Sequence, residues 1–158
     1  MTMENTALLQ NIFLFRNLGR LDLINVNKLV HTRRFEKGAV IIKEGQIPDH
    51  MYVVKAGSVY VYIEGAAGKK EVLATLGSGD HFGEMALIDS QPRSANVEAA
   101  EDCECLYIAA SEFRRLMDSD INLKVHFYEA FLRTLCQRLR STNDAAVVYR
   151  MQADMQLG

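Results

Sequence analysis

A series of short apolar segments, separated by glycine-containing turns, runs through the middle of the chain and constrains the fold more than any other feature. The segment from 51 to 65 divides at Ala56-Gly57, and Val59, Val61 and Ile63 then alternate with serine and tyrosine. Such alternation is typical of a strand with two different faces. The other expected strands lie in residues 38–45, 70–76, 94–99 and 103–108. Short strands with a turn about every ten residues predict a mainly β fold, a barrel or jelly roll.

Both ends of the chain carry a helical pattern instead. Apolar residues before the first strand recur at intervals of three and four, and Gly19 is expected to separate two short helices. Ser111 is the expected N-cap of a further short helix, and a long helix is predicted from about Asn122 to beyond Tyr149. The expected division is N-terminal helices over 1–34, a β-barrel over 35–110 and C-terminal helices over 111–158.

The long C-terminal helix also carries a heptad pattern. Its members, which we call the heptad seam, are Tyr128, Leu132, Leu135, Leu139, Thr142, Ala146, Tyr149 and Ala153. Alternating spacings of four and three are typical of helices that pair along one stripe, so the seam predicts a homodimer. Phe127 and Phe131, one step off the seam, are then expected to pack on the barrel. The alternative is that the whole helix packs as a lid on its own barrel.

Composition excludes several other classes of function. A formal net charge of −2 gives no electrostatic reason to bind nucleic acid. Neither a secretory signal nor an apolar run of about 20 residues is present, so we expect a cytoplasmic protein with no membrane contact. Three cysteines without a C-x-x-C pattern and four histidines without ligand spacing predict no metal, no disulfide framework and no cofactor.

The residues that carry chemistry are concentrated in the stretch GSGDHFGEMALIDSQPRSANVEA, residues 77–99. Arg93 has a planar fork that can hold two phosphate oxygens at once. Ionised Glu84 only accepts hydrogen bonds, which suits a sugar hydroxyl. Gly83 opens one helical turn, and the free N–H groups of such a turn can bind an anion. The combination fits a ligand with one phosphate charge and one free ribose hydroxyl.

The motif FGEMALIDSQPRSANVEA, with KGAVIIKEGQIPDHMYVVKAGSVYVY before it, resembles the cyclic-nucleotide-binding domains. These domains occur in protein kinase A regulatory subunits, nucleotide-gated channels and the bacterial catabolite activator protein. The resemblance runs from about Leu14 to Asn143 and implies a β-barrel with helices at both ends. It makes residues 82–95 the phosphate-binding cassette and implies a ligand, cyclic AMP or cyclic GMP, rather than a reaction. Ser94 after the arginine favours cyclic AMP.

The resemblance also implies a role for individual residues. Glu84 would accept from the ribose 2′-hydroxyl, and Arg93 would pair with the cyclic phosphate. The implied site comprises Gly83, Glu84, Met85, Ala86, Arg93, Ser94 and Ala95, with Val61 and Leu73 as an apolar wall.

A separate set of residues is implied for the base. The segment RLRSTN resembles the part of the long helix that reaches the base in the catabolite activator protein, so Arg138, Thr142 and Asn143 would contact the purine. Its distance from Ser111 is one helical turn longer than in that protein. The activator's DNA-binding helix-turn-helix has no counterpart after the long helix in this sequence. The sequence does not identify the downstream target, and a partner protein and a further domain are both left open.

Two other classes of protein share part of this sequence pattern. Gly77, Gly79 and Gly83 superficially resemble a dinucleotide-binding loop, but that loop needs a βαβ unit, and these glycines lie among short strands. The second alternative is a barrel that has lost its ligand and serves only for dimerisation or protein interaction. Intact Glu84 and Arg93 favour the cyclic-nucleotide sensor, which is not an enzyme and which reorders its C-terminal helix on binding.

Overall fold

In a computed structural model of the chain, two antiparallel sheets are flanked by helices from both ends of the sequence. The structure describes the backbone of residues 3–156 and the side chains of residues 5–137, 139 and 140. The helices are α1 (Met3–Asn11), α2 (Arg20–Asn27), α3 (Ala110–Ser119) and α4 (Ile121–Gln156). The strands are β1 (His31–Phe35), β2 (Val40–Ile42), β3 (His50–Ala56), β4 (Val59–Glu64), β5 (Lys70–Leu76), β6 (His81–Phe82), β7 (Asn96–Ala99) and β8 (Cys103–Ala109). Short 3₁₀ turns occupy Ala66–Gly68 and Glu84–Leu87.

The strands divide into two sheets of four. The first sheet has the order β1-β8-β3-β6 and the second the order β2-β7-β4-β5. All strand pairs are antiparallel, and most neighbours are not consecutive in the chain, which is the jelly-roll type of arrangement. The predicted fold class, mainly β with flanking helices, is confirmed. The described strands form two facing sheets and not one closed barrel.

Apolar side chains fill the space between the two sheets. They come from alternate positions of the strands and include Val54, Val59, Val97, Cys103 and Cys105. Both cysteines are buried free thiols, and burial raises the pKa of Cys105 to about 12. The pair therefore has a packing role, since a neutral buried thiol behaves as a small apolar group.

A second core joins the first sheet to the helices. Phe15, Phe113 and Phe127 meet there with ring centroids 4.9 to 6.2 Å apart. Phe127 and Phe131 are buried, which confirms the expectation that this side of the long helix packs on the body of the domain. The Thr134 hydroxyl donates to the carbonyl of Phe13 at 3.2 Å. One face of α4 is thus fixed to the N-terminal segment.

The opposite face of α4 carries the heptad seam. Its four described members, Tyr128, Leu132, Leu135 and Leu139, are between 39% and 63% exposed. Ile121 and Val125 continue the same spacing toward the start of the helix and are exposed as well. The seam residues from Thr142 onward have side chains outside the described part of the chain. No described residue covers the apolar stripe from 121 to 139.

The structure departs from the sequence reading at two boundaries. Strand β1 pairs with β8 from His31, before the boundary expected at residue 35. Helix α3 begins at Ala110 after Ala109, so the prediction of Ser111 as N-cap is wrong. Ala110 is buried and its N–H donates to the carbonyl of Asp49 at 2.8 Å, so a tertiary contact with the start of β3 replaces the side-chain cap.

The described residues contain neither a membrane-spanning helix nor a candidate metal site. No helix in that part of the chain combines the length and the apolar character that crossing a bilayer requires. No group of three or more His, Cys, Asp or Glu side chains there is placed to hold a metal ion.

Candidate functional site

A cavity of about 340 Å³ lies between the inner face of the second sheet and the Glu84–Leu87 turn. All seven residues of the implied cassette line it. Gly83, Glu84, Met85 and Ala86 form one side, and Arg93, Ser94 and Ala95 form the other. The volume is at the small end of the range, roughly 300 to 1,000 Å³, that is usual for small-molecule sites. The structure therefore brings together residues that the sequence placed in one motif.

Gly83 shapes the entrance to the turn through its backbone conformation and its lack of a side chain. It has a φ of +72°, in the left-handed region that disfavours side chains. A Cβ at this position would lie 2.7 Å from Nη1 of Arg93 and 3.2 Å from the carbonyl oxygen of His50. The first N–H groups of the following turn have no acceptor within the turn itself. Glycine here lets the arginine and the turn line the same cavity.

Arg93 is held rigidly at the base of this cavity. Its side chain is only 8% exposed, and its guanidinium donates to the carbonyl oxygens of Gly83, at 3.1 Å, and of His50. The Arg93 backbone is fixed as well, through bonds of 2.9 Å with Gln46 and Gly45. These contacts use only part of its donor set, because the guanidinium carries further N–H groups. The remaining donors can bind an anion.

Two carboxylates lie near Arg93, and only that of Asp49 forms an ion pair with it. Burial lowers the pKa of Arg93, while the nearby carboxylates of Asp49 and Glu84 oppose that shift. Arginine still stays charged at all ordinary pH values. Asp49 lies 3.8 Å from Nη2 and makes the one ion pair to Arg93 among the described residues. Within that same part of the chain the Glu84 carboxylate has no hydrogen bond or ion pair, so its oxygens can accept from a ligand hydroxyl.

The apolar wall differs in part from the one that the resemblance implied. Val61 lines the cavity, together with Val97, its cross-strand partner, and Ile42, which pairs with Val97 from the other side. Leu73 does not line it and is 54% exposed. The reason is a bulge in β5: Val61 pairs with Ala74 and the next residue with Val72, so Leu73 is the extra residue between them. Val97 could have been found from the alternation of its strand, whereas the bulge leaves no local pattern.

The residues expected to contact the base belong to α4. The helix is continuous through positions 138, 142 and 143. The side chains of Arg138, Thr142 and Asn143 lie outside the described residues, so their relation to the cavity stays a prediction.

The turn behind the cavity also belongs to the helical core. Ala86 and Leu87 are buried in the cluster that contains Phe113 and Phe127. Nη2 of Arg114, on α3, donates to the Ala86 carbonyl at 3.3 Å. The turn thus has two sides, one on the cavity and one on the helices α3 and α4.

The comparisons with known proteins agree with this geometry. The family model for the cyclic nucleotide-binding domain matches residues 32–120, more than half of the chain. This chain belongs to the cyclic nucleotide-binding domain family. The match begins at the start of β1 and ends with α3, so it contains every residue that lines the cavity of this cyclic nucleotide-binding domain.

The relatives match this chain over one part of their own length. The cAMP-dependent protein kinase regulatory subunit of Blastocladiella emersonii is 31% identical over 126 residues, which are 80% of this chain and 31% of that protein. The regulatory domain of Toxoplasma gondii PKA with cAMP has a TM-score of 0.63 and 30% identity, and covers 72% of this chain and 44% of that one. The Thermus thermophilus catabolite activator protein has a TM-score of 0.67 and 27% identity, and the match covers 88% of this chain and 63% of that one. The chain spans about a third of the curated relative's length.

Proposed function

We propose that this cyclic nucleotide-binding domain is a sensor that binds cyclic AMP in the 340 Å³ cavity and passes occupancy to its C-terminal helices. The observation that carries the proposal is the position of Arg93. A buried cation with unused donors faces the same cavity as an unpaired carboxylate, that of Glu84. A cyclic nucleotide presents one phosphate charge and one ribose hydroxyl, which matches this pair of groups.

Different residues of the cassette bind the phosphate and the ribose of the ligand. Arg93 binds the cyclic phosphate, supported by N–H groups of the Glu84–Leu87 turn and of Ala95 and by the Ser94 hydroxyl. Glu84 accepts from the ribose 2′-hydroxyl. Repulsion between Glu84 and the phosphate is limited, because Arg93 lies near enough to the carboxylate to interact with it electrostatically.

The choice of cyclic AMP over cyclic GMP rests on two observations. Ser94 lines the cavity directly after the arginine. The similar structure from Toxoplasma gondii is described with cAMP. Contact of the base with Arg138, Thr142 and Asn143 on α4 is part of the same proposal, and the exposed side chain of Met85 at the cavity gives the base an apolar neighbour.

Binding of a ligand in the cavity affects the helices through the Glu84–Leu87 turn, which contacts both. A ligand that orders the Glu84–Leu87 turn also fixes the inner side of that turn against Phe113 and Phe127. The ligand can shift the arrangement of α4 only by its difference in affinity for the two states. We propose that α4 is the element that is reordered and that its heptad seam pairs in a homodimer, because the stripe from 121 to 139 is apolar and uncovered by described residues.

The second candidate is a domain that has lost its ligand and serves only for dimerisation or protein interaction. The same exposed seam favours it. The intact cavity and the unused donors of Arg93 favour the sensor. In both cases the domain catalyses no reaction and acts on a separate protein target, and the expected cytoplasmic location stays a prediction.

Calorimetric titration decides between the two candidates. Purified protein is titrated with cyclic AMP, cyclic GMP and linear AMP, and Arg34→Ala is the matched control, because Arg34 is exposed and pairs with Glu104 away from the cavity. The sensor predicts saturable binding of cyclic AMP, weaker binding of the other two and no effect of Arg34→Ala. Absence of binding by all three ligands would leave only the interaction module. Incubated cyclic AMP should be recovered unchanged.

A further inference from the structure

His50 lies at a junction behind the anion site. Its backbone carbonyl accepts a hydrogen bond from Nη2 of Arg93. Its ring Nδ1 lies 3.0 Å from Oδ1 of Asp49. The same oxygen, Oδ1 of Asp49, lies 3.8 Å from Nη2 of Arg93. One carboxylate is therefore shared between the imidazole and the arginine that faces the cavity.

The imidazole is also held in place by aromatic rings. Its centroid lies 6.1 Å from Tyr52 and 5.3 Å from Tyr107, and the side chain is 28% exposed. On the far side of Tyr107 lies His31, whose Nε2 is 3.2 Å from Glu112. The ring is fixed enough to keep its distance from Asp49 and open enough to exchange protons with water.

The titratable and charged groups that contact His50 or share its carboxylate lie on several elements. They are Asp49 before β3, Tyr52 on β3, Tyr107 on β8 and Arg93 before β7. Burial raises the pKa of Tyr52, so that hydroxyl stays neutral near pH 7. Arginine keeps its charge throughout, and histidine is the side chain that ordinarily changes charge between about pH 5 and 8.

We propose that His50 is a positioning residue that links cyclic-nucleotide binding to proton uptake. The protonated imidazole draws Asp49 away from Arg93 and adds a positive charge beside the anion site. Both effects favour an anion, so the nucleotide binds more tightly at lower pH. The inference rests on the proposed function, because it needs the cyclic phosphate to bind at Arg93.

The direction of the pH effect on affinity follows from thermodynamic linkage. If protonated His50 raises the affinity for the ligand, the bound ligand must raise the affinity of His50 for a proton by the same factor. Affinity then rises toward lower pH, over the range in which a histidine ordinarily takes up a proton. The phosphodiester and the purine of the ligand keep their charges across this range, so the protein supplies the pH dependence. One added charge near the anion site, partly screened by water, corresponds to a change in affinity of about threefold.

The test is a calorimetric titration with cyclic AMP at constant ionic strength, at pH values from about 5.5 to 8. His50→Phe keeps a ring between Tyr52 and Tyr107 and removes the charge, and His50→Gln keeps polarity. His126→Gln is the control, because His126 pairs with Asp22 on another surface. Wild type and the control should bind about threefold more tightly at the acidic end. Both His50 variants should bind with a flat profile, and thermal melts confirm their folding.

A second measurement determines how many protons the protein takes up when cyclic AMP binds. Titrations near pH 6.5 in two buffers with different ionisation enthalpies should show fractional proton uptake on binding, absent from both His50 variants. A pH slope that persists without His50, or a flat wild-type profile with normal binding, would overturn the inference alone. A wild-type protein that binds no cyclic nucleotide at any pH would overturn the proposed function itself.

Discussion

Arg93 and Gly83 are joined across the cavity by a hydrogen bond of 3.1 Å from the guanidinium to the glycine carbonyl. The two residues lie near the two ends of the segment, residues 82–95, that resembles a phosphate-binding cassette. The bond closes this segment into a loop whose interior is the candidate anion site. Arg93 therefore has two functions, to hold the loop closed and to present its remaining donors to a ligand.

Removing the arginine should remove most of the affinity for cyclic AMP. Loss of one member of a buried, hydrogen-bonded charge pair costs about 2–5 kcal/mol, or about 30-fold or more in dissociation constant. Arg93→Lys should also bind poorly, because an ammonium group cannot replace the planar fork. Calorimetry on both variants measures this, with Arg34→Ala as the surface control. Unchanged binding by Arg93→Ala would remove the arginine from the site.

Glu84→Gln should separate recognition of the ribose from recognition of the phosphate. The amide still accepts a hydrogen bond but without charge assistance, so the loss should be on the order of 1–2 kcal/mol. Wild type should bind 2′-deoxy cyclic AMP weakly, and the variant should discriminate little against it. If both proteins discriminate equally, Glu84 does not contact the 2′-hydroxyl.

Gly83→Ala should damage the site specifically. The added Cβ would approach Nη1 of Arg93 at 2.7 Å in a backbone conformation with φ of +72°. Gly68→Ala is a matched control, because Gly68 has the same φ of +72° and nothing within 4 Å of its Cβ position.

Both glycine variants should lose stability by about 1–2 kcal/mol in thermal or urea unfolding, since each places a side chain in the left-handed region. Only Gly83→Ala should also lose affinity for cyclic AMP. Equal affinities in the two variants would show that the approach of the arginine to Gly83 is dispensable.

Leu135→Asp should convert a dimer into monomers. The substitution places a charge in the heptad seam of both chains, where it would be buried without a partner. Gln137→Asp adds the same charge two residues away, off the seam, and should leave the dimer intact. Sedimentation velocity distinguishes the two results, and a monomeric wild type would contradict the dimer.

Thr142→Leu should tighten the dimer and weaken nucleotide binding. A polar residue on the seam packs less well than leucine, and the base would lose a polar partner. Titration and sedimentation on the same variant test both parts. Normal cyclic AMP binding would remove α4 from the ligand site and leave the cassette alone.

The cassette can be predicted from the sequence because its residues lie close together in the chain. Gly83, Glu84 and Arg93 lie within one short stretch, and a turn followed by a strand brings its ends together. The supports of Arg93 could not be read in the same way. Asp49 and His50 contribute from the start of β3, more than forty residues earlier in the chain, and no periodicity connects them to the arginine.

Strand β1 and the position of Leu73 were missed for different physical reasons. Strand β1 is an edge strand with exposed charged residues, so it lacks the apolar alternation by which strands are recognised. The position of Leu73 depends on a bulge that is visible only in the pairing of β4 with β5. By contrast, the burial of Phe127 and Phe131 followed directly from their spacing on the helix.

The two-sided turn at Glu84–Leu87 constrains how this domain could be retuned. Its outer side meets the cavity, and its inner side, with Ala86 and Leu87, shares a core with Phe113. A substitution within these four positions would alter the concentration at which the domain responds and the size of the response at the same time. Phe113 belongs to that same core, so a substitution on the helix side would also shift the balance between arrangements of the turn, and with it the apparent affinity of a ligand in the cavity. On the proposed function, the threshold and the size of the response are therefore coupled from both sides of the turn.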